Sequence, residues 1–155
     1  MSIEIINLDT DELSDEDKLF YSPMRNKEIL LVCEKGNTIS VLAHSYLNSK
    51  YPDYHMYSAG YNSMGEMIPD YIHDVLEESN LITVKDVSND IKDYKKIIFK
   101  HIIIFNEDNN KVKRDIKPPE GDIYNLNLKS PTDKKETIIV LNKIKEFFEK
   151  EDINK

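Results

Sequence analysis

Cys33 is the residue best placed to do chemistry, because small and polar residues follow it closely. The stretch Cys33-Glu-Lys-Gly-Asn-Thr-Ile-Ser40 comes directly after an apolar run at residues 29–32. A glycine in such a loop lets several backbone N–H groups turn toward one point, and a helix starting there adds the positive end of its dipole. That arrangement suits an anion, most often phosphate, beside a nucleophilic thiol. The predicted anion-binding residues are Glu34, Lys35, Gly36, Asn37, Thr38, Ile39 and Ser40.

The elements that must position this loop can be identified from hydrophobic periodicity. The apolar run at residues 29–32 predicts a strand buried on both faces, as in the middle of a parallel sheet. Apolar residues then fall on one helical stripe: Ile39, Leu42, Ala43, Tyr46 and Leu47. A strand followed by a helix is the start of a βαβ unit, which predicts an α/β protein with its ligand at the carboxyl edge of the sheet.

Later segments continue the alternation of strands and helices. Strands are predicted at residues 54–59 and 101–105, and helices near Pro69 and after Ser88. Lys111 to Ile116 is interpreted as a charged edge strand. A closing helix is predicted to begin with Ser130 as N-cap and Pro131 at the first helical position. The order predicts a small doubly wound α/β sandwich.

Composition narrows the function. The chain has 155 residues, 39% hydrophobic and 32% charged, with a net charge of −8. An acidic surface argues against nucleic acid or an anionic membrane as the main partner, and the apolar runs are too short to span a bilayer. One cysteine excludes an internal disulfide, and the spacing of His44, His55, His73 and His101 suggests no metal site. No cofactor is predicted. With no leader pattern, we expect a cytoplasmic protein.

Two regions differ in charge. Residues 1–27 hold seven acidic and three basic side chains, half of the net negative charge. We interpret them as an acidic N-terminal extension, either solvated or a docking segment for a basic protein. Residues 28–155 are predicted to form a single domain.

These motifs resemble low-molecular-weight protein tyrosine phosphatases, a family that includes thioredoxin-coupled arsenate reductases. The likeness rests on the strand ending at Cys33, the loop through Ser40, the Ser58-Ala-Gly60 end of the second strand, and Asp122-Ile-Tyr124, which is similar to the family's Asp-Pro-Tyr. It covers about residues 28–149. The resemblance implies a three-layer α/β/α sandwich around a four-stranded parallel sheet of order 2-1-3-4.

The resemblance also implies roles for individual residues. Cys33 corresponds to the nucleophile that attacks phosphorus, Ser40 to the hydroxyl that steadies the thiolate, and Asp122 to the general acid. Asp115 and Glu120 are nearby alternatives for the acid. Tyr61 and Tyr124 are candidates for the rim of the cleft.

One departure bears on activity. The family loop has Arg directly before its Ser, and this chain has Ile39 there, while Gly36-Asn37 lies one position late. Guanidinium grips phosphate as a bidentate fork, and losing an aimed donor costs on the order of 10²–10³ in rate. The expected activity is phosphomonoester hydrolysis through a phosphocysteine, impaired by Ile39.

Two alternatives remain open at this stage. The chain can be an inactive relative that binds an oxyanion or a phosphorylated protein. It can also be a phosphocysteine carrier, because Cys33, Gly36 and Ser40 have the spacing of the phosphotransferase-system B components. Arsenate reduction by several cysteines within one chain is excluded, because no second thiol exists.

Overall fold

A computed structural model describes residues 26–105 and 109–153. Its strands are β1 (Glu28–Cys33), β2 (His55–Gly60), β3 (His101–Ile104) and β4 (Ile123–Asn125). Its helices are α1 (Ile39–Lys50), α2 (Asp70–Glu78), α3 (Asn109–Asp115) and α4 (Lys134–Lys150), with a 3₁₀ turn at Ile91–Tyr94. Of the predicted acidic extension, only Asn26 and Lys27 lie within the described residues.

The four strands form one parallel sheet of order β2-β1-β3-β4, as the family resemblance implied. The register pairs Cys33 with Gly60, and Ile29 with both Met56 and His101. Strand β1 is central because all its residues after Glu28 are buried, so both of its faces need cover. Cys33 therefore lies at the carboxyl edge of the sheet.

Helices cover both faces of the sheet and make a three-layer sandwich. On one face, Leu31 and Ile103 pack with α1, α2 and α4 through Leu42, Ile72 and Ile144. On the other, Leu30 and Ile102 pack with Val112 and Ile116 from α3 and its end. The predicted α/β fold class is confirmed. None of the described helices is both long enough and apolar enough to cross a bilayer.

Two predicted elements need correction. The segment interpreted as an edge strand, Lys111 to Ile116, is largely the helix α3, because Val112 and Ile116 stand four apart and both pack on the sheet. The closing helix begins three residues later than predicted. Its N-cap is Asp133, whose carboxylate accepts from the Glu136 N–H at 2.8 Å, and not Ser130.

Candidate functional site

The loop between β1 and α1 presents an uninterrupted row of backbone donors. Within the described residues, none of the six N–H groups of residues 35–40 donates to a backbone carbonyl. Thr38 is the N-cap of α1, yet its side chain makes no capping hydrogen bond. The first turn of α1 has no acidic residue to occupy these donors either. The loop therefore has amides without a carbonyl partner, as an anion site at a helix N-terminus requires.

Neighbouring segments hold this loop in place. The Tyr61 N–H donates to the Cys33 carbonyl at 3.1 Å, and the Asn62 N–H donates to the Glu34 carbonyl at 2.8 Å. The Asn37 side-chain amide donates to the Met67 carbonyl at 3.1 Å. These bonds fasten the loop to the segment after β2.

The side chains at the two ends of the loop are fully enclosed. Cys33, Ile39 and Ser40 are each 0% exposed. The Cys33 thiol donates to the Ser40 hydroxyl oxygen at 3.1 Å. Ile39, at the position where the resemblance calls for Arg, packs in the same hydrophobic cluster as Cys33. Glu34 and Lys35 are exposed at the surface of the loop. The site therefore offers backbone donors, and the residue at the family's arginine position, Ile39, belongs to the core.

Sequence reasoning missed a polar group behind the loop. The Lys85 ammonium donates to the Ser58 carbonyl at 2.8 Å and to the Asn89 side-chain oxygen at 2.7 Å. Burial lowers the pKa of Lys85 to about 8, while the charges of Cys33 and Asp93 act in the opposite direction. Lys85 is therefore a cation within electrostatic range of the thiol. It lies in a loop with no periodic pattern, so the sequence offered no signal for it.

His44 belongs to the same group. Its Nδ1 lies 2.7 Å from the hydroxyl of Ser58, which is completely buried. Desolvation, with a smaller contribution from the charge of Lys85, lowers the pKa of His44 to about 4. The imidazole is therefore neutral near pH 7. His44 lies one helical turn after Ser40, so its fixed ring supports the helix that presents the loop.

Asp122 lies at the wrong end of the sheet for the role of general acid. Its N–H donates to His101 Nδ1 at 3.0 Å, and its carbonyl accepts from Ile102. His101 pairs with Ile29, four residues before Cys33, so the offset along the sheet is about 13 Å. The structure does not bring Asp122 to Cys33, and the predicted placement is corrected. Ile123 and Tyr124 are taken up by β4, so the tripeptide cannot be a loop at the carboxyl edge.

The two alternative acids do not replace it. Glu120 accepts from the Asn26 side chain at 2.9 Å, and its N–H bonds to Phe99, just before β3. This places Glu120 at the amino edge as well. Asp115 pairs with Arg114 at 3.3 Å at the end of α3. Neither carboxylate is joined to the Cys33 loop by a contact.

The two predicted rim tyrosines separate in the structure. Tyr61 follows β2 directly and contacts the loop through its backbone bond to Cys33. Tyr124 pairs with Ile103 inside the sheet, and its ring packs edge-on against His101 and Phe147. Only Tyr61 lies beside the loop. Within residues 26–105 and 109–153, no three His, Cys, Asp or Glu side chains are grouped as metal ligands.

Known proteins were compared by sequence and by structure. No family model matches the chain, and no curated protein matches its sequence. Solved structures do match it. The arsenate reductase of Archaeoglobus fulgidus is 20% identical, with 79% of this chain and 96% of that chain covered and a TM-score of 0.63.

Tyrosine phosphatases match to a similar degree. AmsI of Erwinia amylovora is 15% identical, with 82% of this chain and 94% of that chain covered and a TM-score of 0.66. Wzb of Escherichia coli K30, solved with sulphate, is 14% identical, with 81% and 98% covered and a TM-score of 0.63. Together with the sheet order and the position of Cys33, these matches show that the chain has the fold shared by low-molecular-weight tyrosine phosphatases and arsenate reductases.

Proposed function

We propose that this chain binds a small oxyanion, either free phosphate or a phosphate group on a larger molecule, in the loop of residues 34–40. One observation carries the proposal, namely the six consecutive N–H groups of residues 35–40 without a carbonyl partner at the N-terminus of α1. Such amides bind negative charge well because they are fixed in place before the ligand arrives. Two neighbours of the same fold, Wzb of E. coli and an arsenate reductase, were solved with sulphate and in a phosphate-binding state.

We further propose that the chain does not turn over phosphomonoesters at the rate expected of a phosphatase. The side chain of Ile39 supplies no donor for the equatorial oxygens and is completely buried. Asp122 lies at the opposite edge of the sheet and has no access to a leaving group at Cys33. Losing both an aimed cation and a general acid removes two separate contributions, each typically worth two or more orders of magnitude.

The binding proposal is tested by titrating the full chain with inorganic phosphate and following backbone amides by NMR. We expect saturable shifts at residues 35–40 and a rise in melting temperature. Chloride at matched ionic strength serves as the control and should cause neither. Shifts spread over surface lysines without saturation, or a melting temperature indifferent to millimolar phosphate, would overturn the proposal.

The catalytic part needs a separate assay. The chain and a Cys33→Ser variant are given an aryl phosphate between pH 5 and 7, and we expect equally negligible turnover. Hydrolysis lost in Cys33→Ser would instead establish an impaired phosphatase. An acid-labile phosphoryl group that stays on Cys33 would establish a phosphocysteine carrier.

A further inference from the structure

A second surface, remote from the Cys33 loop, has the shape of a binding groove. It lies beside α3, against strands β3 and β4 at the edge of the sheet. Its volume is about 270 Å³. Apolar side chains line it, including Ile102, Val112, Ile116 and Ile123, and Pro118 and Pro119 close one side. Ile123 is 37% exposed there although it belongs to a strand of the sheet. The groove is therefore an apolar site on the edge strand that no described element fills.

The rim of this groove is positively charged. Lys113 and Lys117 both line it and are exposed. Because the whole chain carries a net charge of −8, a basic rim stands out against an acidic surface. A ligand that suits the groove would combine a few aliphatic side chains with several carboxylates.

The chain itself contains a segment of that chemistry. Residues 3–8, Ile-Glu-Ile-Ile-Asn-Leu, supply four aliphatic side chains. Residues 9–17 follow with six carboxylates and no basic residue.

The described chain also begins next to the groove. The Asn26 side-chain amide donates to the Ile98 carbonyl and to the Glu120 carboxylate, both at 2.9 Å. Glu120 directly follows Pro118 and Pro119, which are part of the groove wall. Residues 18–25 join the acids to Asn26, and a flexible linker of that length, eight residues, spans about 16 Å. A tether of that length gives an effective concentration in the millimolar range, so even weak intrinsic affinity would fill the site.

We propose that this groove binds the chain's own residues 3–8, with the acids of residues 9–17 lying against Lys113 and Lys117. The aliphatic side chains enter the groove, and the carboxylates pair with the rim. The docked segment covers the exposed edge strand β4. The proposal is independent of anion binding at the Cys33 loop.

Paramagnetic NMR on the full chain tests this. A nitroxide is attached at Ser2→Cys, with the buried Cys33 left unmodified as checked by mass, and isoleucine methyl groups are observed. We expect strong broadening at Ile102, Ile116 and Ile123. Ile72 and Ile144, on the opposite face, should be unaffected. Broadening that is weak or equal on both faces would overturn the proposal.

Charge variants provide the matched control. Lys113→Glu with Lys117→Glu should reduce the broadening several-fold, whereas Lys135→Glu with Lys143→Glu, the same charge change on exposed sites of α4, should leave it unchanged. An equal loss in both pairs would contradict a role for this rim. A mixed sample completes the test. One copy of the chain carries the nitroxide without isotopic enrichment, and the other carries isotopically enriched methyl groups without the nitroxide. Broadening in that mixture would assign the groove to a second copy and overturn intramolecular docking.

Discussion

Gly36 and Gly60 touch through their backbones, and this contact joins the anion-binding loop to the end of β2. A Cβ added to Gly36 would come within 2.5 Å of the Gly60 nitrogen. A Cβ added to Gly60 would come within 2.4 Å of the Lys35 carbonyl carbon. Gly36 also has φ of +74°, a conformation that side chains disfavour. Gly60 is therefore required because another backbone comes too close for a Cβ. Gly36 is required for the same reason and also because of its positive φ.

Gly36→Ala should consequently destabilise the protein by about 3 kcal/mol. Roughly 1 kcal/mol comes from the left-handed backbone and roughly 2 kcal/mol from overlap with backbone atoms that cannot move aside. Gly65→Ala is the matched control, because Gly65 has φ of +81° but its nearest neighbour would be Val87 at 4.0 Å. It should cost only about 1 kcal/mol. Urea unfolding of both variants checks this, and equal losses would refute the close contact.

Ile39→Arg introduces the arginine that the phosphatase family has at this position, but it should not produce phosphatase activity. Ile39 is fully buried among apolar side chains, so the new guanidinium would be desolvated without a partner. We expect a loss of at least about 3 kcal/mol of stability. The shifted position of Gly36 and the placement of Asp122 at the far edge would still prevent efficient turnover. Ile39→Val, which keeps an apolar side chain, should cost about 1 kcal/mol.

Aryl phosphate hydrolysis and urea unfolding measure the two effects of Ile39→Arg separately. A stable Ile39→Arg variant with rates typical of a phosphatase would show that the loop can reshape around an arginine. That result would contradict the argument from burial.

The sequence predicted the fold well where a hydrophobic pattern favoured one kind of secondary structure over the others. The run at residues 29–32 is apolar on both faces, as in a central parallel strand, and β1 occupies that place. The segment containing Val112 and Ile116 failed because two apolar residues four apart fit one face of a helix and also one face of a strand. Only packing against Ile102 and Ile104 decides between the two.

The positions of candidate site residues could be predicted only where those residues are local in sequence. The loop from Cys33 to Ser40 is contiguous, so its geometry follows from the strand and the helix around it. Asp122 was assigned from a tripeptide likeness, but its position depends on the register of β4 against β3, which no local pattern encodes. Lys85 reaches the Ser58 carbonyl only because its loop folds along the edge strand β2.

The corrected start of α4 makes a prediction about two neighbouring residues. Asp133 accepts from the Glu136 N–H, and the Glu136 carboxylate accepts in return from the Thr132 N–H at 2.8 Å. This reciprocal cap should make Asp133→Ala cost about 1 kcal/mol in thermal or urea unfolding. Ser130→Ala, at the position that the sequence suggested, should change stability by less than about 0.5 kcal/mol. The reverse order of effects would place the cap at Ser130 instead.

The partly buried His44 should make the folded state sensitive to acid. The pKa of His44 is about 4 in the folded chain and 6.5 as an ordinary histidine. Between pH 4 and pH 6.5, His44 therefore binds a proton in the unfolded chain but stays neutral in the folded chain. Stability contributed by the neutral ring is therefore fully present above pH 6.5 and is lost as the pH falls toward 4. The total is no more than about 3.5 kcal/mol, since each pKa unit between about 4 and 6.5 corresponds to about 1.4 kcal/mol.

His44→Gln isolates this contribution, because glutamine can still hydrogen-bond to Ser58 but does not titrate. Urea unfolding is followed from pH 4 to 7 for both proteins. Carboxylates and His101 titrate in both, so the informative quantity is the difference between the two curves. We expect the wild type to lose stability faster than His44→Gln as pH falls, with the curves converging or crossing toward pH 4. Parallel curves over the whole range would mean that His44 is freely protonated in the folded state, and that its burial beside Ser58 and Lys85 does not hold in solution.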